Sequence, residues 1–211
     1  MIHHHPSTET LLAYAAGMLR AGHALVVSAH LEECATCQQT TARLAALGGV
    51  LLDALPPDNL PADAFTRALA ALEDINVPAA PPRGPARFPA HLPLPQALYG
   101  TRLGRWLWVG RGVYYSRVHL PWAPKEHVML IRVAANHPVI AHSHGGREFT
   151  QILQGSYRDE TGSYQQGDMA EENQETRHQP RAGEQGCLCL AALEDGVRLP
   201  WFKILAKRSA A

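Results

Sequence analysis

No stretch of this 211-residue sequence approaches the ~18 uninterrupted apolar residues that a membrane-crossing helix needs. Residues Met1 to Ser7 lack the apolar core of a secretory signal, so the cytosol is the expected compartment. Charge of one sign is lacking too: Lys+Arg and Asp+Glu both number 19, and the basic residues are scattered. Such a chain has no general pull on nucleic acid or anionic lipid; DNA binding would need a local basic patch, and none is visible. Cysteine is scarce, with four residues in two close pairs. In a cytosolic chain such pairs read as metal or redox chemistry before structural disulfides. Disorder is excluded as well, because 46% hydrophobic and 18% charged residues suit a chain with real cores.

What is present falls into two halves. Leu11, Leu12, Tyr14, Ala15 and Leu19 recur at helical spacing behind a Ser7 or Thr8 cap, with Gly22 as the expected stop. Further helices are expected over Ala24–His30, from Cys34 to about Leu52, and over Ala62–Ile75, with Pro56–Pro57 breaking the third. Four short helices bury little area, so this part needs a metal or a partner to be stable. Prolines crowd the segment from Pro78 to Pro95, which reads as a semi-rigid linker. Beyond it, the runs His127–Val133, Phe149–Leu153, Gly186–Leu190 and Trp201–Leu205 are short and β-like, separated by glycine and proline turns. Many short strands at close spacing suggest a sandwich or barrel. The expected fold class is α+β in two domains: an all-α four-helix unit over 1–76, a linker over 77–96, and an all-β domain over 97–211.

The sharpest pattern in the first half is His30-Leu-Glu-Glu-Cys34-Ala-Thr-Cys37. Spacings of four and three bring these side chains to one face of a helix. Thiolate and imidazole are preferred ligands of tetrahedral zinc, and a helix N-terminus favours the Cys37 thiolate. A redox Cys-x-x-Cys pair normally sits in a βαβ setting, which is absent. The fourth ligand is open among His3, His4, His5 and His23 on spacing alone. Phe65, Leu69 and Leu72 share one face of the fourth helix, either as ordinary core or as a helix-in-groove contact.

In the second half, Ala141-His-Ser-His-Gly-Gly-Arg-Glu148 is followed by Gly155, Gly167-Asp168 and His178. His142 and His144 lie two apart and point the same way on a strand, and the Gly145–Gly146 turn returns Glu148 beside them. Three imidazoles and a carboxylate suit zinc or another divalent transition metal. Cys187 and Cys189 share one side of a later strand, as buried core thiols or as a redox pair.

Two resemblances follow. His-x-His, then Glu148, Gly155 and a distal His178, resembles the cupin superfamily over roughly Ala97 to Leu205, although Pro180 follows His178 where many cupins place a proline before it. The His30-x-x-x-Cys34-x-x-Cys37 pattern, with an N-terminal histidine and Leu12-Ala-Tyr-Ala-Ala-Gly17, resembles the zinc-binding anti-sigma family, in particular its ChrR-type members. That register implies His5 as the fourth zinc ligand. It also implies a helical domain that clamps a group IV (extracytoplasmic-function, ECF) sigma factor, in a 1:1 complex, and releases it on an oxidative signal such as singlet oxygen or hydroperoxide sensed at the cupin metal. The resemblance implies binding and not turnover. The alternative is a metal-dependent, dioxygenase-like cupin enzyme, for which no further acid–base constellation is evident. A zinc-dependent DNA-binding regulator is disfavoured by zero net charge and by Glu32 and Glu33 inside the metal loop.

Overall fold

The computed structural model describes residues 1–73, 92 and 94–198. Four helices come first: α1 (Thr8–Ala15), α2 (Ala21–Glu33), α3 (Ala35–Asp53) and α4 (Ala64–Glu73). A single 3₁₀ turn (Gln96–Leu98) leads into β1 (Arg102–Leu103), β2 (Leu107–Gly110), β3 (Val113–His119), β4 (His127–Val133), β5 (His142–His144) and β6 (Glu148–Arg158). Then follow β7 (Ser163–Gln165), β8 (Met169–Glu172), β9 (Arg177–His178), β10 (Arg181–Leu193) and β11 (Val197–Arg198). The expected α+β class holds. Most of the proline-rich segment, the expected end of the fourth helix at Ile75 and the run Trp201–Leu205 lie outside the described residues.

Ser7 caps α1 by accepting from Thr10 N at 3.2 Å. The stop, however, is Gly17 at φ 68°, not Gly22. Gly22 lies inside α2, because there the helix meets the barrel: a Cβ at Gly22 would sit 2.9 Å from both Glu126 Oε2 and Val128 Cγ2. Only a residue without a side chain allows that approach.

The strands form an antiparallel eight-stranded sheet, ordered β1-β3-β4-β10-β6-β7 with β2 on β3 and β8 on β6, and a three-stranded sheet β11-β5-β9. Alternation along β10 gives the large sheet two faces. Leu188, Leu190 and Ala192 join Val128, Leu130, Phe149 and Leu153 in one apolar cluster, which also takes in Leu25, Val26, Val27 and Ala29 of α2. Cys187 and Cys189 point the other way, with Val133, Ile152, Tyr157 and Tyr164. Helix α2 is therefore core of the barrel as much as of the helical unit. Burying Leu25, Val26 and Val27 contributes about 1.5–3 kcal/mol each. The sequence predicts that the helices need outside support, and the large sheet supplies part of it.

Polar contacts complete the docking. Glu126 accepts from Gly22 N at 3.2 Å, at the positive end of α2, and pairs with Arg20. Glu32 returns the favour for the 3₁₀ turn, accepting from Gln96 N at 2.7 Å and from Ala97 N. Residues before α1 run along the edge of the barrel. The buried Asp168 carboxylate accepts from His3 N (2.7 Å), His4 N (3.1 Å) and Gln165 N (2.9 Å), while Met169 N donates to His4 O at 3.0 Å. Facing bulges mark β6 and β10, where Gly155 (φ 75°) and Gly186 (φ 77°) pass so closely that a Cβ on Gly155 would meet the Gly186 carbonyl.

Candidate metal centres

The first centre forms where four local structures converge. Cys34 is the residue between α2 and α3; its Sγ accepts from Cys37 N at 3.5 Å, so both thiols sit at the first turn of α3. His30 comes from the last turn of α2. His5 arrives from the segment seated on Asp168, and its Nδ1 lies 3.3 Å from Cys34 Sγ and 3.4 Å from Cys37 Sγ. One ligand atom from each of His5, His30, Cys34 and Cys37 falls within a 4.8 Å cluster, a group that could hold a metal ion. His3, His4 and His23 are not in it. His4 packs tilted against Tyr164 with ring centroids 4.5 Å apart, and His23 stands edge-on to Phe149, also at 4.5 Å.

The electrostatics suit a cation. Burial, then hydrogen bonding and charge repulsion from Cys34, push the Cys37 thiol up to about 12. Two thiols this close cannot both ionise without a positive charge between them. Burial also lowers the pKa of His30, against the hydrogen bond of its Nδ1 to Gln151 Oε1 (3.1 Å), and so favours the neutral ring. Its other nitrogen, Nε2, is buried without a hydrogen-bond partner. A soft N/S donor set with one orphaned imidazole nitrogen fits a tetrahedral zinc.

The second centre lies on the other side of the large sheet. Antiparallel pairing sets His142 opposite His178, which fixes the register that Pro180 obscured in the sequence. Three Nε2 atoms converge: His178 to His144 at 3.0 Å and to His142 at 3.1 Å. Two of the rings donate Nδ1 to an oxygen, His142 to Ile140 O (2.8 Å) and His178 to Asp159 Oδ2 (2.8 Å), while His144 Nδ1 lies 2.7 Å from Glu148 Oε2. The Nε2 lone pairs are thus turned toward one point, the arrangement of a metal site with its supporting shell. Glu148 stands beside His144 rather than at that point. Its carboxyl is buried, which works against ionisation, yet the close contact with His144 and the charges of His144 and His142 hold it below the usual range. Burial lowers His142. For His178 burial is outweighed by Asp159, and its pKa rises.

Several contributors were not singled out from the sequence. Asp159 and Glu172 make a second possible metal-holding group with His178, bridged by Thr161 Oγ1 at 2.6 Å and 3.1 Å from the two carboxylates. Gln151 holds His30 of the His/Cys group, and Asp168 seats the backbone of His3 and His4 just before His5. Gly167-Asp168 is part of the cupin-like pattern in the sequence, whereas nothing in the spacing assigns a role to Gln151, Asp159 or Glu172. Cys187 and Cys189 are buried on the sheet face that also carries Glu148, and no disulfide joins them. Hydrogen bonding to Cys187, followed by burial, raises the Cys189 thiol. Phe65, Leu69 and Leu72 lie bare on α4, at 75%, 48% and 64% exposure, so among the described residues they are not core. No described helix is long and apolar enough to cross a membrane.

Comparison with known proteins matches both halves in order. The family model for the ChrR cupin-like domain matches residues 96–195. The anti-sigma-E factor ChrR of Cereibacter sphaeroides is 37% identical over 207 residues, 95% of this chain and 94% of that protein. The crystal structure of Rhodobacter sphaeroides SigE in complex with the anti-sigma ChrR superposes with a TM-score of 0.73 at 34% identity, covering 92% of this chain and 100% of that one. With both the helical unit and the barrel matched over nearly their full length, the chain belongs to the ChrR family of anti-sigma factors.

Proposed function

We propose that this protein is a cytoplasmic, non-enzymatic anti-sigma factor. Its helical unit (1–76) holds an ECF sigma factor in a 1:1 complex, and its barrel (97–211), joined by the linker 77–96, releases that partner on an oxidative signal. The observation that carries the reading is the similarity of the whole chain to a protein solved in complex with its sigma factor. The bare stripe Phe65, Leu69 and Leu72 on α4 supports it, being an apolar surface left unpartnered among the described residues.

Zinc is the ion we assign to His5, His30, Cys34 and Cys37, where it would staple the segment before α1 to the α2–α3 junction. A divalent transition metal, zinc among the candidates, is assigned to His142, His144 and His178 with Glu148 as the carboxylate of the set. It would supply a Lewis-acidic or redox-responsive centre, while Asp159, Glu148 and the Ile140 carbonyl keep the three rings turned inward. Cys187 and Cys189 line the same side of the sheet and are the thiols available to a redox signal there. The match over both halves, rather than over the barrel alone, decides against the metal-dependent enzyme.

Metal content by mass spectrometry, together with co-purification of a co-expressed ECF sigma factor, tests this reading. The intact chain should carry two metals and retain the sigma factor. A Cys34→Ala, Cys37→Ala variant should lose one metal and the sigma factor together. A barrel that keeps its metal in a chain that never retains a sigma factor would sink the proposal.

A further inference from the structure

Strand β6 carries different chemistry on its two faces. Glu148 and Thr150 point to the three-histidine centre, with Thr150 Oγ1 donating to Glu148 Oε1 at 2.9 Å. Phe149 and Gln151 point the opposite way, onto α2. Phe149 packs against His23, and Gln151, fully buried, accepts from His30 Nδ1 at 3.1 Å. His23 and His30 are seven residues apart, two turns along one face of the helix. Glu148 and Gln151 lie three residues apart on one strand, about 10 Å at 3.3 Å per residue.

A neutral imidazole can carry its proton on either nitrogen, and only the bare nitrogen binds a metal. Gln151 Oε1 is an acceptor with no proton to give, so its bond to His30 selects the Nδ1–H form and leaves Nε2 as the donor. That Nε2 is buried and has no hydrogen-bond partner, and the same holds for Gln151 Nε2. Outer-shell acceptors of this kind orient a ligating histidine and raise its basicity. Here the acceptor belongs to the barrel, while the histidine belongs to the helical unit. Resting on the metal assignment made above for His5, His30, Cys34 and Cys37, we infer that Gln151 is a positioning residue of that centre. Its zinc affinity is set in part from the barrel, and β6 is the physical link between the two metal-ligating groups.

The test uses the full-length chain with two substitutions. Gln151→Leu keeps the volume and removes the acceptor; Gln151→Glu keeps an acceptor. Zinc dissociation constants would be measured by competition with a chromophoric chelator, with thermal melting and metal content of the barrel as folding controls. Gln151→Leu should weaken zinc about 10–100-fold, the usual loss for an outer-shell partner, while Gln151→Glu stays within about threefold of the parent. Folded Gln151→Leu that binds within twofold of the parent overturns the inference. So does Gln151→Glu losing as much as Gln151→Leu, since packing alone would then explain the effect. A readout that needs no variant is the long-range ¹H–¹⁵N spectrum of the zinc-loaded parent. His30 should be protonated at Nδ1 and ligated through Nε2, and ligation through Nδ1 overturns the inference. If the parent binds only the barrel metal, the assignment of the His/Cys centre itself falls, an outcome distinct from equal binding by parent and variant.

Discussion

Helices α2 and α4 are both short and rich in apolar residues, yet one is swallowed by the barrel and the other left bare. In α2 the apolar residues are consecutive: Leu25, Val26 and Val27 cover most of the circumference, and all three are buried. In α4, Phe65, Leu69 and Leu72 form a narrow stripe at spacings of four and three, and all three are exposed. The wide apolar face of α2 is core, while the narrow stripe of α4 is left uncovered among the described residues, the kind of face that fits a groove on a partner. The helical unit is thus anchored on its α2 side and open on its α4 side.

Breaking the open side should have the largest effect. Phe65→Ala combined with Leu69→Ala should weaken sigma-factor binding by about 100-fold or more, since buried anchors of an interface commonly carry about 2 kcal/mol each. Surface calorimetry or a titrated pull-down reads this, and the melting temperature of the free protein should barely move. A large drop in melting temperature would mean that α4 is core after all.

The anchored side should answer in stability instead. Leu25→Ala removes a side chain buried between α2 and the sheet and should cost about 2–4 kcal/mol in denaturant unfolding. Affinity of the folded fraction for the sigma factor should be unchanged. Equal losses in both quantities would show that the two sides are not separable.

A smaller loss is expected where the segment before α1 is seated. Asp168→Asn should destabilise by about 2 kcal/mol, because a charged acceptor of three backbone N–H groups becomes a neutral one. Burial opposes ionisation of Asp168, but the N–H groups of Gln165, His3 and His4 outweigh it and hold the carboxyl below its usual range. A depressed folded-state pKa stabilises fully above the unfolded value of about 3.9 and loses that stabilisation as pH falls through the folded value. The stability gap between parent and variant should therefore be flat from about pH 7 to 5 and close below about pH 4. A gap that persists at lower pH would place the seat elsewhere.

The smallest effects sharpen the contrast by changing sign. Gly48 in α3 has nothing within 4 Å of an added Cβ, so Gly48→Ala should stabilise by about 0.5–1 kcal/mol. Gly22→Ala carries the same propensity gain but drives a methyl into Glu126 and Val128, so the net change should be a loss of about 1 kcal/mol. Differential scanning calorimetry on the two single variants decides it.

Much of this contrast was legible in the sequence, but not its meaning. Residue spacing placed the His30, Cys34 and Cys37 group and the β5–β6 histidine turn, because both depend on neighbours within a few residues. The Phe65, Leu69 and Leu72 stripe was equally plain, although whether it was core depended on what else the chain could lay against it. The seat of α2 was not legible. Its partners, Val128 and Phe149, lie over a hundred residues away, and Gly22 read as a stop because local rules cannot foresee a close approach by another element. Gln151 gained no role from the sequence for the same reason: a glutamine in a strand looks solvent-facing until a helix covers it.

The facing bulges at Gly155 and Gly186 bear on how this barrel can be re-engineered. A residue inserted into or deleted from either strand slides one glycine out from under the other and drives a Cβ into a carbonyl: that of Gly186 for Gly155, or that of Val133, 2.7 Å away, for Gly186. Reporter peptides or new binding loops should therefore be spliced between Asn173 and Thr176, an exposed turn, where added length leaves the crossing untouched.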